Sequence, residues 1–337
     1  MSEMADWLQR QWLTFTLWHL LLLPISWLFF IITACRRLLY KLGLLNSHRF
    51  SVPVIVVGNI NVGGAGKTPV VIWLAEQLKQ AGYKPGVISR GYGSNLVGIA
   101  SVLPTSSPTE MGDEPVLIAM RTACPVFVGA QRVAVGLALL KAHPECNVLI
   151  SDDGLQHYAL QRDVELVVVD GVKGFGNGAL LPAGPLRESV SRLNAVDVVI
   201  SNGASSNLQG YATPVSVQMQ LKAATFYNLT HRQSVAVPAD FSGKSITAIA
   251  GIGNPDRFFN QLSAMGLNFK RKAYNDHYQY CAQDFDELKT DIVIMTEKDA
   301  VKCALFAQSN YWVLPVSAEI DAQLMTIILN KLDKLRS

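Results

Sequence analysis

The sequence predicts an α/β protein: a P-loop NTPase fold on a doubly wound, mostly parallel sheet, followed by a second, smaller α/β lobe and preceded by a membrane helix. Three observations carry that expectation. A glycine-rich stretch ending Gly66-Lys67-Thr68 stands between an apolar run and a helix-like segment. The apolar runs that follow are short, rich in Val and Ile and mostly not alternating, as expected of parallel strands covered on both faces. Ahead of them, residues 13–33 form an apolar run with no Asp, Glu, Lys or Arg.

Half of the 337 residues are hydrophobic and 16% are charged, with a mean hydropathy of +0.23. A soluble two-domain enzyme is usually more polar, so the hydrophobicity is concentrated somewhere. The net charge of +3 is too small for nucleic-acid binding by bulk electrostatics. Cys35, Cys124, Cys146, Cys281 and Cys303 are scattered, with no C-x-x-C pair. This argues against a zinc site and a disulfide framework, and it fits a reducing cytosol. The expected organisation is an anchoring helix with a basic flank at 1–46, a P-loop domain at 47–212, a connecting segment at 213–241 and the smaller lobe at 242–337. The last helix of that lobe is free to pack back on the P-loop domain.

As a helix, residues 13–33 would be roughly 32 Å long against about 30 Å of hydrocarbon. The start carries Glu3 and Asp6 and no small-residue cleavage site follows, so a cleaved signal peptide is not expected. Arg36, Arg37, Lys41 and Arg49 follow the run and Arg10 precedes it, which puts the remainder on the cytoplasmic side. Apolar residues go all the way round, which favours a span or deep insertion. His19 and Pro24 in mid-run keep an interfacial helix as the competing reading.

Strands are expected at 52–57, 85–89, 126–129, 148–151, 165–169 and 197–201, with crossover helices at 69–81 and 131–142. The first strand leads into Asn61-Val62-Gly63-Gly64-Ala65-Gly66-Lys67-Thr68. Glycines there let backbone N–H groups face phosphate oxygens, and the following helix presents its positive end to the same anion. Lys67 would reach the β- and γ-phosphates and the Thr68 hydroxyl would ligate Mg²⁺. Asn61 replaces the usual first glycine; Asn tolerates left-handed backbone, so it is expected to hold the turn.

Asp152 and Asp153 end the strand at 148–151, where a P-loop protein holds Mg²⁺, although two adjacent Asp also suit a solvated turn. Asp113 precedes the apolar stretch 116–120, so it reads either as a helix N-cap or as a base beside the phosphate site. Asp170 before Gly171 reads as a turn at least as well as a ligand. Ser89-Arg90-Gly91-Tyr92-Gly93 is a loop, and Leu181-Pro182-Ala183-Gly184-Pro185-Leu186-Arg187-Glu188 is a shaped surface loop with one charged pair.

Patterning weakens from 202 to 241, where Ser205-Ser206-Asn207 is polar and a strand is expected at 213–219. Order returns with strands at 246–250, 268–273 and 292–296 and helices at 255–265 and 321–335. Gly251-Ile252-Gly253-Asn254-Pro255-Asp256 lacks the third glycine of a dinucleotide fingerprint and reads as a loop with Pro255 near the helix start. In Thr296-Glu297-Lys298-Asp299 the lysine is one place late for a guanine-specificity box. His277, in Asp276-His277-Tyr278, reads in isolation as a solvated loop histidine before a catalytic one.

Taken together, the amino-terminal helix, the P-loop with its non-glycine start, Ser89 to Gly93, Gly112-Asp113-Glu114-Pro115, Asp152-Asp153-Gly154-Leu155-Gln156-His157, the Leu181 to Glu188 loop, Asp276-His277 and Thr296-Glu297-Lys298-Asp299-Ala300-Val301-Lys302 closely resemble the tetraacyldisaccharide 4′-kinase family of Gram-negative bacteria. The resemblance runs nearly end to end. It implies ATP- and Mg²⁺-dependent phosphorylation of an acylated glucosamine disaccharide 1-phosphate at its 4′-hydroxyl, at the cytoplasmic face of the inner membrane. No nucleic-acid partner and no obligate protein partner is inferred from the sequence. Lys67 and Thr68 would serve phosphate and metal, Asp152 and Asp153 the metal, Asp113 with His277 the activation of the hydroxyl, and Arg187 with Glu188 the substrate. The reading from another class, a membrane-tethered P-loop ATPase acting as a switch, needs no acceptor loop and no base.

Overall fold

The computed structural model describes residue 7 and residues 11–204 and 215–335. Glu3, Asp6, Arg10, the Ser205-Ser206-Asn207 stretch and the start of the strand expected at 213–219 lie outside the described residues.

The larger sheet has nine strands. In chain order they are β1 (Val54–Gly58), β2 (Pro85–Ser89), β3 (Ile99–Val102), β4 (Val126–Gly129), β5 (Val148–Asp152), β6 (Val164–Asp170), β7 (Val198–Asn202), β8 (Ser216–Ala223) and, from the far end of the chain, β15 (Val316–Ile320). Their spatial order is β15-β8-β7-β6-β1-β5-β2-β4-β3, parallel from β8 to β4, with β3 and β15 antiparallel at the two edges. This is the doubly wound, mostly parallel sheet the Val/Ile runs predict; β1, β2, β4, β5, β6 and β7 are buried along their whole length. Its crossover helices include α2 (Lys67–Gln80), α4 (Asp113–Thr122), which follows the short α3 (Pro108–Met111), and α5 (Arg132–Ala142). β1 lies between β5 and β6, with Val57 opposite Asp152. The central phosphate loop and the Asp pair therefore emerge side by side at the strands' carboxyl ends.

The smaller sheet comprises β9 (Phe226–Asn228), β10 (Val235–Ala236), β11 (Ile246–Ala250), β12 (Lys270–Ala273), β13 (Ile292–Thr296) and β14 (Tyr311–Leu314), ordered β10-β9-β14-β13-β11-β12. Helices α6 (Pro255–Ala264), α7 (Gln283–Asp286) and α8 (Glu297–Cys303) accompany it. Beyond β14 the chain returns through Pro315 to the larger sheet, where β15 pairs with β8 and α9 (Gln323–Lys334) buries Leu324, Ile328 and Leu332 in that sheet's core. Two adjacent strands of chain thus join the lobes, tied where Ala224 N–H donates to the Pro315 carbonyl at 3.0 Å.

The amino-terminal helix α1 (His19–Lys41) has 23 residues and is apolar enough to cross a membrane by length and composition, with 11% of its most apolar stretch buried. It is not isolated from the body. In the first half of the helix, Ser26 Oγ donates to the Leu180 carbonyl at 2.9 Å and accepts from Ala183 N–H at 3.0 Å. Before the helix, Trp12 Nε1 donates to the Pro182 carbonyl at 3.0 Å. The opposite side, including Leu21, Ile25, Trp27, Leu28 and Ile32, is exposed.

Candidate phosphoryl-transfer site

The loop from Asn61 to Thr68 leaves β1 and opens α2. Gly66 is its pivot: φ is 96°, and a Cβ there would lie 2.5 Å from Asn202 Nδ2, which donates to the Ala65 carbonyl at 3.0 Å. Only glycine meets both demands. Asn61 departs from expectation. Its φ is not positive, the positive-φ non-glycine residues among those described being Ala123, Asp153, His277 and Lys289. Asn61 instead forms a bridge with Leu186 and donates through Nδ2 to the Gly174 carbonyl at 2.8 Å, while Val62 N–H donates to Pro185 O at 2.8 Å. The first position of the loop is thus held by the Gly/Pro segment, with side-chain hydrogen bonding in place of backbone freedom.

Lys67 Nζ lies 3.3 Å from Asp153 Oδ1 and 3.3 Å from Asn59 Oδ1. Asp152 is buried and accepts from Ser89 Oγ at 3.0 Å through Oδ2, while its Oδ1 is buried with no hydrogen-bond partner. Burial, Glu114 and Asp153 push the Asp152 carboxyl up to about 7. Burial also opposes ionisation of Asp153, yet Lys67 and Arg187 outweigh it and hold that carboxyl below its ordinary value. An orphaned carboxylate oxygen beside a second carboxylate, on the strand next to the one that leads into the phosphate loop, fits Mg²⁺. That ion takes few protein ligands and completes its shell with phosphate oxygens and water. Accordingly the described residues contain no cluster of three His, Cys, Asp or Glu suited to an all-protein cage.

Arg132 went unread in the sequence. Its guanidinium is buried, donates to Gly129 O at 3.0 Å and approaches Asp152 O at 3.4 Å. Burial lowers it to about 10 against the pull of Asp152 and Asp153, so it stays charged at neutral pH behind the acidic pair. The signal was an isolated cation opening an otherwise apolar helix after a strand. Burial with Arg132 and Arg90 nearby lowers His157 to about 4, which keeps it neutral.

Asp113 and His277, 164 positions apart, meet across the lobes: His277 Nδ1 lies 3.1 and 3.0 Å from the two Asp113 oxygens. Asp113 does not cap α4; the N-cap position is Gly112, and the carboxylate accepts only from the adjacent Glu114 N–H at 2.9 Å within that turn. His277 adopts a left-handed backbone with φ 61°, a conformation costly for a non-glycine residue and concentrated at functional sites. Asp276 accepts its N–H at 3.1 Å. Burial disfavours charge on both partners, but their mutual hydrogen bond prevails, leaving Asp113 below and His277 above their ordinary values.

Other links hold the lobes in this closed arrangement. Arg257 pairs with Asp170 at 3.2 Å, and Asp170 also accepts from Val172 and Lys173 N–H as the turn reading expects. Arg121 pairs with Glu297 at 2.7 Å. A Cβ on Gly253 would stand 2.9 Å from the Gly64 nitrogen, so the glycine loop after β11 rests directly on the phosphate loop.

The Leu181 to Glu188 segment is less superficial than expected. Arg187 is partly exposed, with Nη1 3.4 Å from Asp153 and its N–H donating to Ile60 O at 2.7 Å. Glu188 is buried, and its carboxylate is engaged by Gln156 Nε2 at 2.9 Å, by the Tyr158 hydroxyl and by Arg192. These internal partners fix the loop and, with it, the neighbouring Arg187.

A family model for Tetraacyldisaccharide-1-P 4′-kinase matches residues 18–333. The tetraacyldisaccharide 4′-kinase of Methylobacillus flagellatus is 52% identical over 334 residues, covering 99% of this chain and 98% of its own. That of Dechloromonas aromatica is 50% identical over 335 residues, covering 98% of each. The crystal structure of LpxK from Aquifex aeolicus in complex with ATP is similar with a TM-score of 0.79 at 28% identity, over 94% of this chain and 100% of that one. By the family model and these relatives, the chain belongs to the tetraacyldisaccharide 4′-kinase family.

Proposed function

We propose that the protein transfers the γ-phosphate of ATP to the 4′-hydroxyl of an acylated glucosamine disaccharide 1-phosphate. The observation that carries this reading is the Asp113–His277 pair closed over a P-loop: a base that transfer to a hydroxyl requires and a switch ATPase does not. In this scheme the backbone from Asn61 to Thr68 cradles the phosphates, Lys67 meets the β- and γ-phosphate oxygens, and Thr68 with Asp152 and Asp153 holds Mg²⁺. When bound there, that ion would supply positive charge against the transferring phosphoryl group. Asp113 takes the hydroxyl proton as the 4′-oxygen bonds to the γ-phosphorus and the bond to the β-phosphate oxygen breaks. His277 keeps the carboxylate ionised and aimed. Arg187 faces the phosphate side of the acceptor and Glu188 positions it. Labelled γ-phosphate is expected to appear in the lipid disaccharide; hydrolysis of ATP with no labelled lipid would overturn the reading.

The membrane helix lies, in this reading, along the cytoplasmic face of the inner membrane, its outer apolar side in the leaflet. Support comes from Ser26: a helix held to the catalytic body within its apolar stretch cannot place that stretch in the hydrocarbon without drawing in the loop that carries Leu180 and Ala183. Confinement to the plane raises encounters with a lipid acceptor. In intact cells, Ser2→Cys is expected to stay unlabelled by a membrane-impermeant thiol reagent. Labelling without permeabilisation would establish a full span instead.

A further inference from the structure

The sequence motif Thr296-Glu297-Lys298-Asp299 is not a nucleotide-specificity box, yet its lysine sits at the centre of the interlobe contact. The Lys298 side chain is 16% exposed, and Nζ lies 3.1 Å from Glu114 Oε1, 3.0 Å from Asp276 Oδ1, 3.5 Å from His277 Nε2 and 3.8 Å from Asp113 Oδ2. These groups come from two segments, α4 and the loop carrying His277, and Lys298 brings α8 to both. An ammonium has three donors and no acceptor, so at neutral imidazole it is accommodated beside His277 Nε2 where that nitrogen carries no proton. The remaining imidazole proton is then on Nδ1, pointing at Asp113.

We propose that Lys298 is a positioning residue for phosphoryl transfer: it gathers the carboxylates of Asp113, Glu114 and Asp276 across the lobe junction and fixes His277 as the tautomer that donates to Asp113. This rests on the kinase reading of the Asp113–His277 pair. Without the cation, three carboxylates and an imidazole would share one partly buried junction, which favours lobe opening and protonation of the site. The other groups facing His277 do not replace it. Tyr92 packs its ring at 5.2 Å, Asp276 lies 3.8 Å from Nε2, and Lys302, which acts on Asp113 at longer range, is committed to Asp299 at 2.8 Å.

The test compares Lys298→Met, Lys298→Gln and Lys298→Arg with the unaltered protein in two measurements. One is the pH profile of kcat for lipid phosphorylation; the other is the His277 titration and tautomer read from ¹⁵N chemical shifts. Loss of a neighbouring positive charge raises the pKa of an imidazole, so the acid limb and the His277 titration of the neutral variants are expected to move up by about one pH unit. In the same variants kcat is expected to fall by about 10- to 100-fold. Lys298→Arg keeps the charge and is expected to retain the position of both. An unmoved titration in Lys298→Met or Lys298→Gln, whatever the rate, would reduce Lys298 to a structural role and overturn the proposal; so would kcat within twofold. If Lys298→Met does not fold, the Gln and Arg variants carry the comparison. If the unaltered protein transfers no phosphate to lipid, it is the kinase reading that fails, while the His277 spectrum still decides whether Lys298 sets the tautomer.

Discussion

Asp113→Asn is expected to lower turnover by about 10²-fold or more while leaving ATP binding close to normal. The substitution separates the two readings of this residue because Asn caps helices as well as Asp but cannot take a proton at neutral pH. A residue whose task was to cap α4 would tolerate the change. In the structure the cap position is Gly112, and both carboxylate oxygens lie within hydrogen-bond distance of His277 Nδ1, Oδ1 also accepting from Glu114 N–H. The amide oxygen of Asn can still accept from Nδ1, so lobe closure and the P-loop are preserved and the loss falls on kcat. Steady-state transfer of labelled phosphate measures kcat, and calorimetry with ATP measures binding. Turnover within threefold of normal would return Asp113 to a structural role.

The pair also sets the expected pH dependence. Asp113 raises His277 above the ordinary histidine value against burial and Lys298. Attraction between imidazolium and carboxylate is therefore full below about pH 6.5 and is lost as pH rises through the higher folded value. Proton acceptance runs the other way, because a charged imidazolium beside Asp113 weakens it as a base. Turnover is accordingly expected to fall as pH drops through a value above 6.5, with lobe closure weakening on the alkaline side. His277→Ala should remove this limb and lower turnover less than loss of the base itself.

How far the sequence was legible follows from which forces are local. The buried parallel strands could be read because both faces are covered, so they show continuous apolar runs such as 54–57 and 166–169. The edges β3 and β15 could not, since each has exposed positions along it, and β8 beside β15, with alternating burial over residues 216–220, is anticipated only as far as 219. The return of β15 and α9 to the larger sheet is set by packing across the lobes, which no local pattern encodes. At the site, the P-loop and the Asp pair are contiguous in sequence and declared themselves. Asn61 was misread because its side chain is satisfied by Gly174, 113 positions away. The burial of Glu188 is not legible because Gln156, Tyr158 and Arg192 close round it from both sides in sequence, so a charged residue in a Gly/Pro loop proves buried. Lys298 was invisible for the same reason, its partners lying 21 to 184 positions away.

Lys67→Met is expected to cut kcat/KM for ATP-dependent transfer by about 10²- to 10³-fold, the loss typical of removing one preorganised donor from a developing negative charge. Met keeps the aliphatic stem that packs at the start of α2 and deletes only the ammonium. That ammonium lies 3.3 Å from Asp153 and is anchored by Asn59 at the end of β1, so it stands where strand, loop and acidic pair converge. Two consequences separate this effect from simple loss of fold. Asp152 and Asp153 would face each other with only Arg187 and the buried Arg132 nearby, so the melting temperature should change little or show a small loss, while transfer collapses. Lys67→Arg should not restore the rate, because a planar guanidinium does not reproduce a compact ammonium at the end of a loop shaped by Gly66. Raising Mg²⁺ should not restore it either, since the missing charge acts on the phosphoryl oxygens. Transfer within fivefold of normal in Lys67→Met, or full rescue by Arg, would remove Lys67 from the centre of this site.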